Sequence, residues 1–163
     1  KSNLKGLMIR NAVPFAAGLD QEKAGLENVS TVIDIGAGTG FFSREFAKLY
    51  AIATVFTADI SSFMVKYIKD NITPEYPNVI ALQMSDAHVP LDDGNANLII
   101  MIDLHHEIKD PYAMLKECFR LLRPGGRIAI IAGIAFSDRD SVRVREQHAG
   151  HLPASMNDHP LAA

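Results

Sequence analysis

Short apolar runs alternate along this chain with stretches whose apolar residues recur every three or four positions, as expected of strands exchanging with helices. Thr31–Ile35 is the first clear run and ends in a glycine-rich turn. Phe42–Tyr50 has helical spacing at Phe42, Phe46 and Leu49, and Thr54–Ala58 returns to a strand that Asp59 closes. Ser61 is placed to N-cap a helix through about Ile72, with Met64, Val65 and Ile68 on one face and Pro74 and Pro77 beyond its end. Val79–Met84 reads as a third strand, followed by a polar loop through Asp92-Asp93-Gly94. Leu98–Ile102 is apolar throughout, as a parallel strand buried on both faces should be. Asp110-Pro111 starts a helix to about Leu122, Pro124-Gly125-Gly126 stops it, and Arg127–Ala132 is a fifth strand. Ahead of these, the first thirty residues read as helix broken near Pro14 and Gly18.

Five strands separated mostly by helices predict an α/β fold, a three-layer, doubly wound and mostly parallel sheet. Ligands in such sheets bind at the carboxyl ends of the strands, near the topological switch point. Residues 1–136 are expected to form this core with an N-terminal helical segment, and 137–163 an irregular C-terminal segment.

Composition removes several classes. With 48% apolar and 21% charged residues, 11 Gly and 8 Pro among 163, the chain is neither collagen-like nor low-complexity nor disordered. Lys and Arg number 16 against 19 Asp and Glu, a net charge of −3, so no global positive field recruits nucleic acid or an anionic membrane. The one cysteine, Cys118, lies in an apolar helical stretch, reads as a small core residue and allows no intrachain disulfide. A reducing, cytoplasmic compartment is the expectation. No apolar run approaches the roughly 18–20 residues that span a bilayer, and the chain opens on Lys1 without a signal-peptide pattern.

The turn after the first strand, Asp34-Ile35-Gly36-Ala37-Gly38-Thr39-Gly40, carries the chemistry. Alternate glycines permit positive φ and leave no Cβ between backbone and ligand. The next helix offers unpaired N–H groups at its start, favourable for a carboxylate or phosphate. A dinucleotide fingerprint would need a glycine at position 41, which is Phe41, and this disfavours a nicotinamide-dependent oxidoreductase.

Asp34-x-Gly36-x-Gly38-x-Gly40 resembles motif I of the class I, Rossmann-like S-adenosylmethionine-dependent methyltransferases. The resemblance extends to Asp59 after the second strand, Ser85-Asp86-Ala87 after the third, and Leu121-Leu122-Arg123-Pro124-Gly125-Gly126 before the fifth. It covers roughly residues 30–133 and implies S-adenosyl-L-methionine as cofactor and S-adenosyl-L-homocysteine as product. It implies cofactor contacts from Asp34, Gly36, Ala37, Gly38, Gly40, Asp59, Ile60, Met64, Asp86, Ala87, Asp103 and Leu104. Among these, Asp59 would accept from both ribose hydroxyls, Asp86 from the exocyclic amine of adenine, and the Ala87 N–H would meet a ring nitrogen. The activity implied is in-line transfer of the sulfonium methyl to a small-molecule acceptor. A binding domain that holds the nucleotide without turnover, acting through a partner or dimer, is the alternative.

The acceptor-facing segment should be Asp103-Leu104-His105-His106-Glu107. His105 and His106 are the candidate catalytic bases, since imidazole can deprotonate a hydroxyl near neutral pH. Their other reading is as capping or orienting residues at the rim. The Asn/Asp-Pro-Pro-Tyr/Phe motif of amino-group DNA methyltransferases is absent, which with the acidic charge argues against a nucleic-acid substrate. A metal held by Asp103, His105, His106 and Glu107 is disfavoured because Ala132-Gly133-Ile134-Ala135 supplies no further ligands. The basic residues of Lys116–Arg127 and Arg139–Arg145 read as solvated faces.

The family usually adds two strands as an antiparallel hairpin beyond the fifth. Ser137–Ala163 is polar; Ser137-x-x-Asp140 reads as the start of a short helix, or Val142 and Val144 as an irregular alternating strand, and neither makes a hairpin, so the terminal hairpin is expected to be missing or incomplete. The fifth strand would then be a sheet edge needing cover. A fragment, a trimmed sequence and a minimal domain completed by a homodimer are the readings that remain.

Overall fold

The computed structural model describes residues 26–104 and 107–131 and the backbone of Arg143–Glu146. The N-terminal helix expected from the sequence lies outside the described residues up to residue 25, as do His105, His106 and most of 137–163. Chain order is β1 (Thr31–Ile35), α1 (Phe41–Leu49), β2 (Thr54–Asp59), α2 (Ser62–Asn71), β3 (Val79–Gln83), β4 (Ala96–Ile102), α3 (Pro111–Leu121), β5 (Leu122–Ile131) and β6 (Arg143–Glu146). The strands line up as β3-β2-β1-β4-β5-β6, parallel through β5 and antiparallel at β6. This is the mostly parallel α/β sheet the periodicity predicts.

Alternate side chains of each strand feed two cores. Val32, Val55, Leu98 and Ile100 pack with Phe46 of α1 and Val65 and Ile68 of α2. Ile33, Ile35, Ile99 and Met101 pack with Met114, Cys118 and Leu121 of α3. β4 carries six buried residues in succession, which is why its sequence shows no alternation. Each buried Ile or Leu contributes roughly 1.5–3 kcal/mol over leaving it exposed. The predicted caps form: the Ser61 hydroxyl accepts from Met64 N–H, and Asp110 Oδ1 accepts from Ala113 N–H at 2.9 Å with Pro111 starting α3.

Two elements differ from the sequence reading. Helix α3 ends at Leu121 and β5 starts at once, so Pro124-Gly125-Gly126 lies inside the strand. Ala96 pairs with Leu122 and Leu98 with Arg127, so the residues between bulge out of the ladder. Gly126 permits this, because a Cβ there would lie 2.8 Å from the Ala96 carbonyl oxygen. At the other place, β6 runs along β5 from Arg127↔Glu146 to Ile130↔Arg143. The β5 edge expected to be open is therefore paired within the chain over those residues, and β6 becomes the outer strand. That pairing uses backbone hydrogen bonds, for which Arg143–Glu146 needs extended backbone and no apolar run.

The switch point lies between β1 and β4, since the chain winds one way from β1 to β2 and β3 and then crosses to β4. The turns after β1, β2, β3 and β4 consequently share one end of the sheet. β3 and β4 are joined by loop 84–95, without a helix among its residues.

Candidate functional site

Gly36, Gly38 and Gly40 have φ of 72°, 54° and 72°, a backbone that β-carbon-bearing residues rarely adopt. Gly36 and Ala37 N–H both donate to the Ala58 carbonyl, at 2.9 and 3.2 Å, which fixes the start of the turn against the end of β2. Asp59 follows directly. Its Oδ2 accepts from Gly38 N–H and its Oδ1 from Ser61 N–H, both at 2.8 Å. One carboxylate thus ties the glycine turn to the entry of α2, and each oxygen keeps a further lone pair.

The glycines differ in what surrounds them. A Cβ on Gly40 would meet Ile68 Cγ1 at 3.0 Å, and one on Gly36 would meet Leu104 Cδ1 at 2.5 Å. A Cβ on Gly38 would meet nothing within 4 Å. The turn is packed at both ends and open at its middle, beside Asp59.

Asp34 is buried at the end of β1, where Ser43 of α1 donates its hydroxyl to Oδ2 at 2.5 Å. Burial pushes the Asp34 carboxyl up to about 7; the Ser43 hydrogen bonds oppose this, and the nearby Asp59 charge adds to it. Asp34 therefore faces α1 through Ser43, and Asp59 is the acid that borders the open middle of the turn.

Ile60 is exposed, and Met64 is half-buried in the first turn of α2. Met84 N–H donates to the Asp59 carbonyl at 3.0 Å, so the start of loop 84–95 adjoins the Asp59 backbone. Asp86 and Ala87 occupy the tip of a tight turn closed by a bridge between Ser85 and His88. Asp86 is exposed and pairs with Lys109 Nζ at 3.6 Å. Asp103 is exposed with φ 56°, its N–H bonded to the Ile131 carbonyl, and Leu104 turns its methyl groups onto Gly36. The structure thus gathers Gly36–Gly40, Asp59 and Leu104, with Asp86–Ala87 on the neighbouring loop; His105 and His106 lie outside the described residues. Among the described residues, no three His, Cys, Asp or Glu side chains come together to hold a metal ion.

Arg120, which the sequence reading left on a solvated face, is engaged, together with Glu117. Arg120 and Glu117 of α3 grip loop 84–95. Arg120 Nη1 donates to the Leu91 carbonyl and Asp93 Oδ1 at 2.7 Å each, and Nη2 donates to the Val89 carbonyl at 3.1 Å. Nε and Nη2 bond both oxygens of Glu117, at 2.8 and 2.7 Å. Burial acts to raise the Glu117 pKa, but the Arg120 bonds, the Val89 N–H and the His88 charge outweigh it and hold it lowered. The signal was present in the sequence: Glu117 falls on the apolar stripe of Met114, Cys118 and Leu121, where an acid requires a partner.

The sequence profile described as "Methyltransferase domain" matches residues 33–130. The ubiquinone/menaquinone biosynthesis C-methyltransferase UbiE of Haemophilus ducreyi is 27% identical over 111 residues, covering 66% of this chain and 43% of that protein. A ubiquinone biosynthesis O-methyltransferase of Coxiella burnetii is 31% identical over 98 residues, 60% of this chain and 41% of the other. This chain thus spans less than half the length of these two curated relatives. A SAM-dependent methyltransferase structure from Aquifex aeolicus superposes with a TM-score of 0.65 at 27% identity, covering 74% of this chain and 65% of that one. A putative S-adenosyl-L-methionine-dependent methyltransferase from Methanococcus maripaludis gives 0.71 at 25%, covering 79% and 58%.

Proposed function

This chain belongs to the class I, Rossmann-like S-adenosylmethionine-dependent methyltransferases, and from that premise we propose that it methylates a nucleophilic atom of a small molecule. The observation that carries the reading is the Asp59 clamp: a carboxylate held by Gly38 and Ser61 N–H groups beside the open middle of the glycine turn. The residues fit the cofactor. Asp59 retains lone pairs for two vicinal ribose hydroxyls, and Gly38 carries no side chain to block the approach. S-adenosylmethionine, when bound, supplies an electrophilic sulfonium methyl, and S-adenosylhomocysteine is the leaving group.

The protein's own contribution is alignment and exclusion of water. Asp59 and the Gly36–Gly40 turn hold the nucleoside, while Leu104 packs on Gly36 at the end of β4 and walls the turn on that side. His105 and His106 follow Leu104 in sequence and are assigned to accept a proton from the acceptor where its nucleophile is a hydroxyl. The relatives above are named for quinone biosynthesis, and both C- and O-methylation occur among those names. Quinone precursors with a free hydroxyl or ring carbon are therefore the first acceptors to try.

Titration calorimetry with S-adenosylmethionine, S-adenosylhomocysteine and NAD tests the reading. Binding of the two sulfur nucleotides but not NAD supports it, and binding of neither defeats it. Label from methyl-labelled cofactor should then appear in an acceptor of the panel. Tight binding with no transfer to any acceptor moves the assignment to a nucleotide-binding domain that acts through a partner.

A further inference from the structure

We propose that Glu117 and Arg120 form a positioning latch that presents the Asp86–Ala87 turn to the base of the bound nucleotide. The proposal rests on the S-adenosylmethionine reading above. Its ground is where the two side chains attach.

Val89 directly follows the turn closed by Ser85 and His88, and it is fully buried. Both polar groups of its backbone are taken by the pair: Val89 N–H donates to Glu117 Oε1 at 2.7 Å, and its carbonyl accepts from Arg120 Nη2. Glu117 Oε1 also lies 3.0 Å from His88 Nδ1, so the last residue of the turn is held by the same atom. Farther along the loop, Arg120 holds the Leu91 carbonyl and Asp93, and its own carbonyl accepts from Gly94 N–H at 2.8 Å.

Every guanidinium N–H has an acceptor, two on Glu117 and three on the loop. Lysine, with three rotating donors and no planar fork, cannot reproduce this pattern. At its other end the loop is tied to the site by Met84 N–H on the Asp59 carbonyl. The Asp86–Ala87 tip therefore stands between two fixed points, one on the cofactor strand β2 and one on α3. The tip itself is exposed, and its Asp86–Lys109 contact is too open to fix it. Orientation of the tip comes from Val89 and His88, and hence from Glu117 and Arg120.

A latch of this kind governs discrimination of the base, whereas a pair that only stabilises the fold would lower the melting temperature and leave discrimination intact. The test compares S-adenosylhomocysteine with S-inosylhomocysteine, in which a carbonyl replaces the exocyclic amine, by calorimetry on wild type, Arg120→Met, Arg120→Lys and Glu117→Gln. Wild type should prefer the adenine ligand. Arg120→Met should lose about tenfold in affinity for it, the scale of one hydrogen bond, and much less for the inosine ligand, so the ratio falls toward one. Arg120→Lys should not rescue the ratio. Glu117→Gln keeps an oxygen for Val89 N–H, should fall between, and carries the measurement if Arg120→Met does not fold. Amide exchange in the ligand-free protein gives an independent readout: Val89 and Gly94 should exchange faster in Arg120→Met while β4 amides hold their protection. Folded variants that keep the wild-type ratio overturn the latch alone. A wild type that binds neither ligand overturns the cofactor reading and the latch with it.

Discussion

Replacing Asp34 with Asn should change the pH dependence of stability more than stability itself. Asp34 is buried to 2% exposure, and folding lifts its pKa from 3.8 to about 7, chiefly through burial. Between those values the native protein holds a proton that the unfolded chain has released. Stability of the wild type therefore falls as pH rises through this window, and the loss is complete above about pH 7. At about 1.4 kcal/mol per pH unit, the full effect is on the order of 4 kcal/mol, of which about 2–3 kcal/mol develops between pH 5 and pH 8. Asparagine keeps an oxygen for the Ser43 hydroxyl and does not titrate. Urea unfolding of both proteins at pH 5, 6, 7 and 8 gives the difference directly, because every other titrating group is common to the two. The stability of Asp34→Asn relative to wild type should rise by that amount across the series and flatten above pH 7. Parallel curves with a constant offset would refute a buried, proton-holding Asp34.

Gly126→Ala should destabilise the domain by about 2 kcal/mol or more, because the new Cβ meets the Ala96 carbonyl, which β4 cannot move; urea unfolding of the variant checks this. Cys118 is buried and its thiol is pushed up to about 12 by burial and the Glu117 charge. Iodoacetamide at pH 8 should leave it unmodified in the native protein and label it in urea, as read by mass spectrometry. Gly38→Ala should lower stability by about 1–2 kcal/mol through its positive φ alone, since no neighbour opposes the added methyl. It should also weaken the sulfur nucleotides, because it puts that methyl at the open middle of the turn; unaltered affinity by calorimetry would count against the turn as part of the site.

Much of this arrangement is legible in the sequence for identifiable reasons. β1 and β4 are short and apolar because both of their faces are covered, so they stand out against any helical period. The glycines at 36, 38 and 40 advertise a backbone that other residues would strain, and all three have positive φ. Asp59 is readable as the acid that ends β2, although its bonds to Gly38 and Ser61 depend on how two separate turns meet. Arg120 is not legible as a half-buried anchor, because a basic residue near a helix end looks solvated until loop 84–95 folds across it. The Pro124–Gly126 bulge likewise follows from the approach of Ala96, a contact between distant segments. β6 leaves only the short Val142 and Val144 alternation as an apolar signature, because it pairs through its backbone along Arg127–Ile130.

Asp59, set beside the open glycine turn, is proposed to hold the ribose of a sulfonium nucleotide. Calorimetric titration of wild type and Asp59→Ala with S-adenosylhomocysteine tests this role most directly. Loss of two charged hydrogen bonds predicts affinity weaker by about 1–3 kcal/mol in the variant. Equal affinity in the two proteins, with both folded, would remove Asp59 from the site and contradict the account.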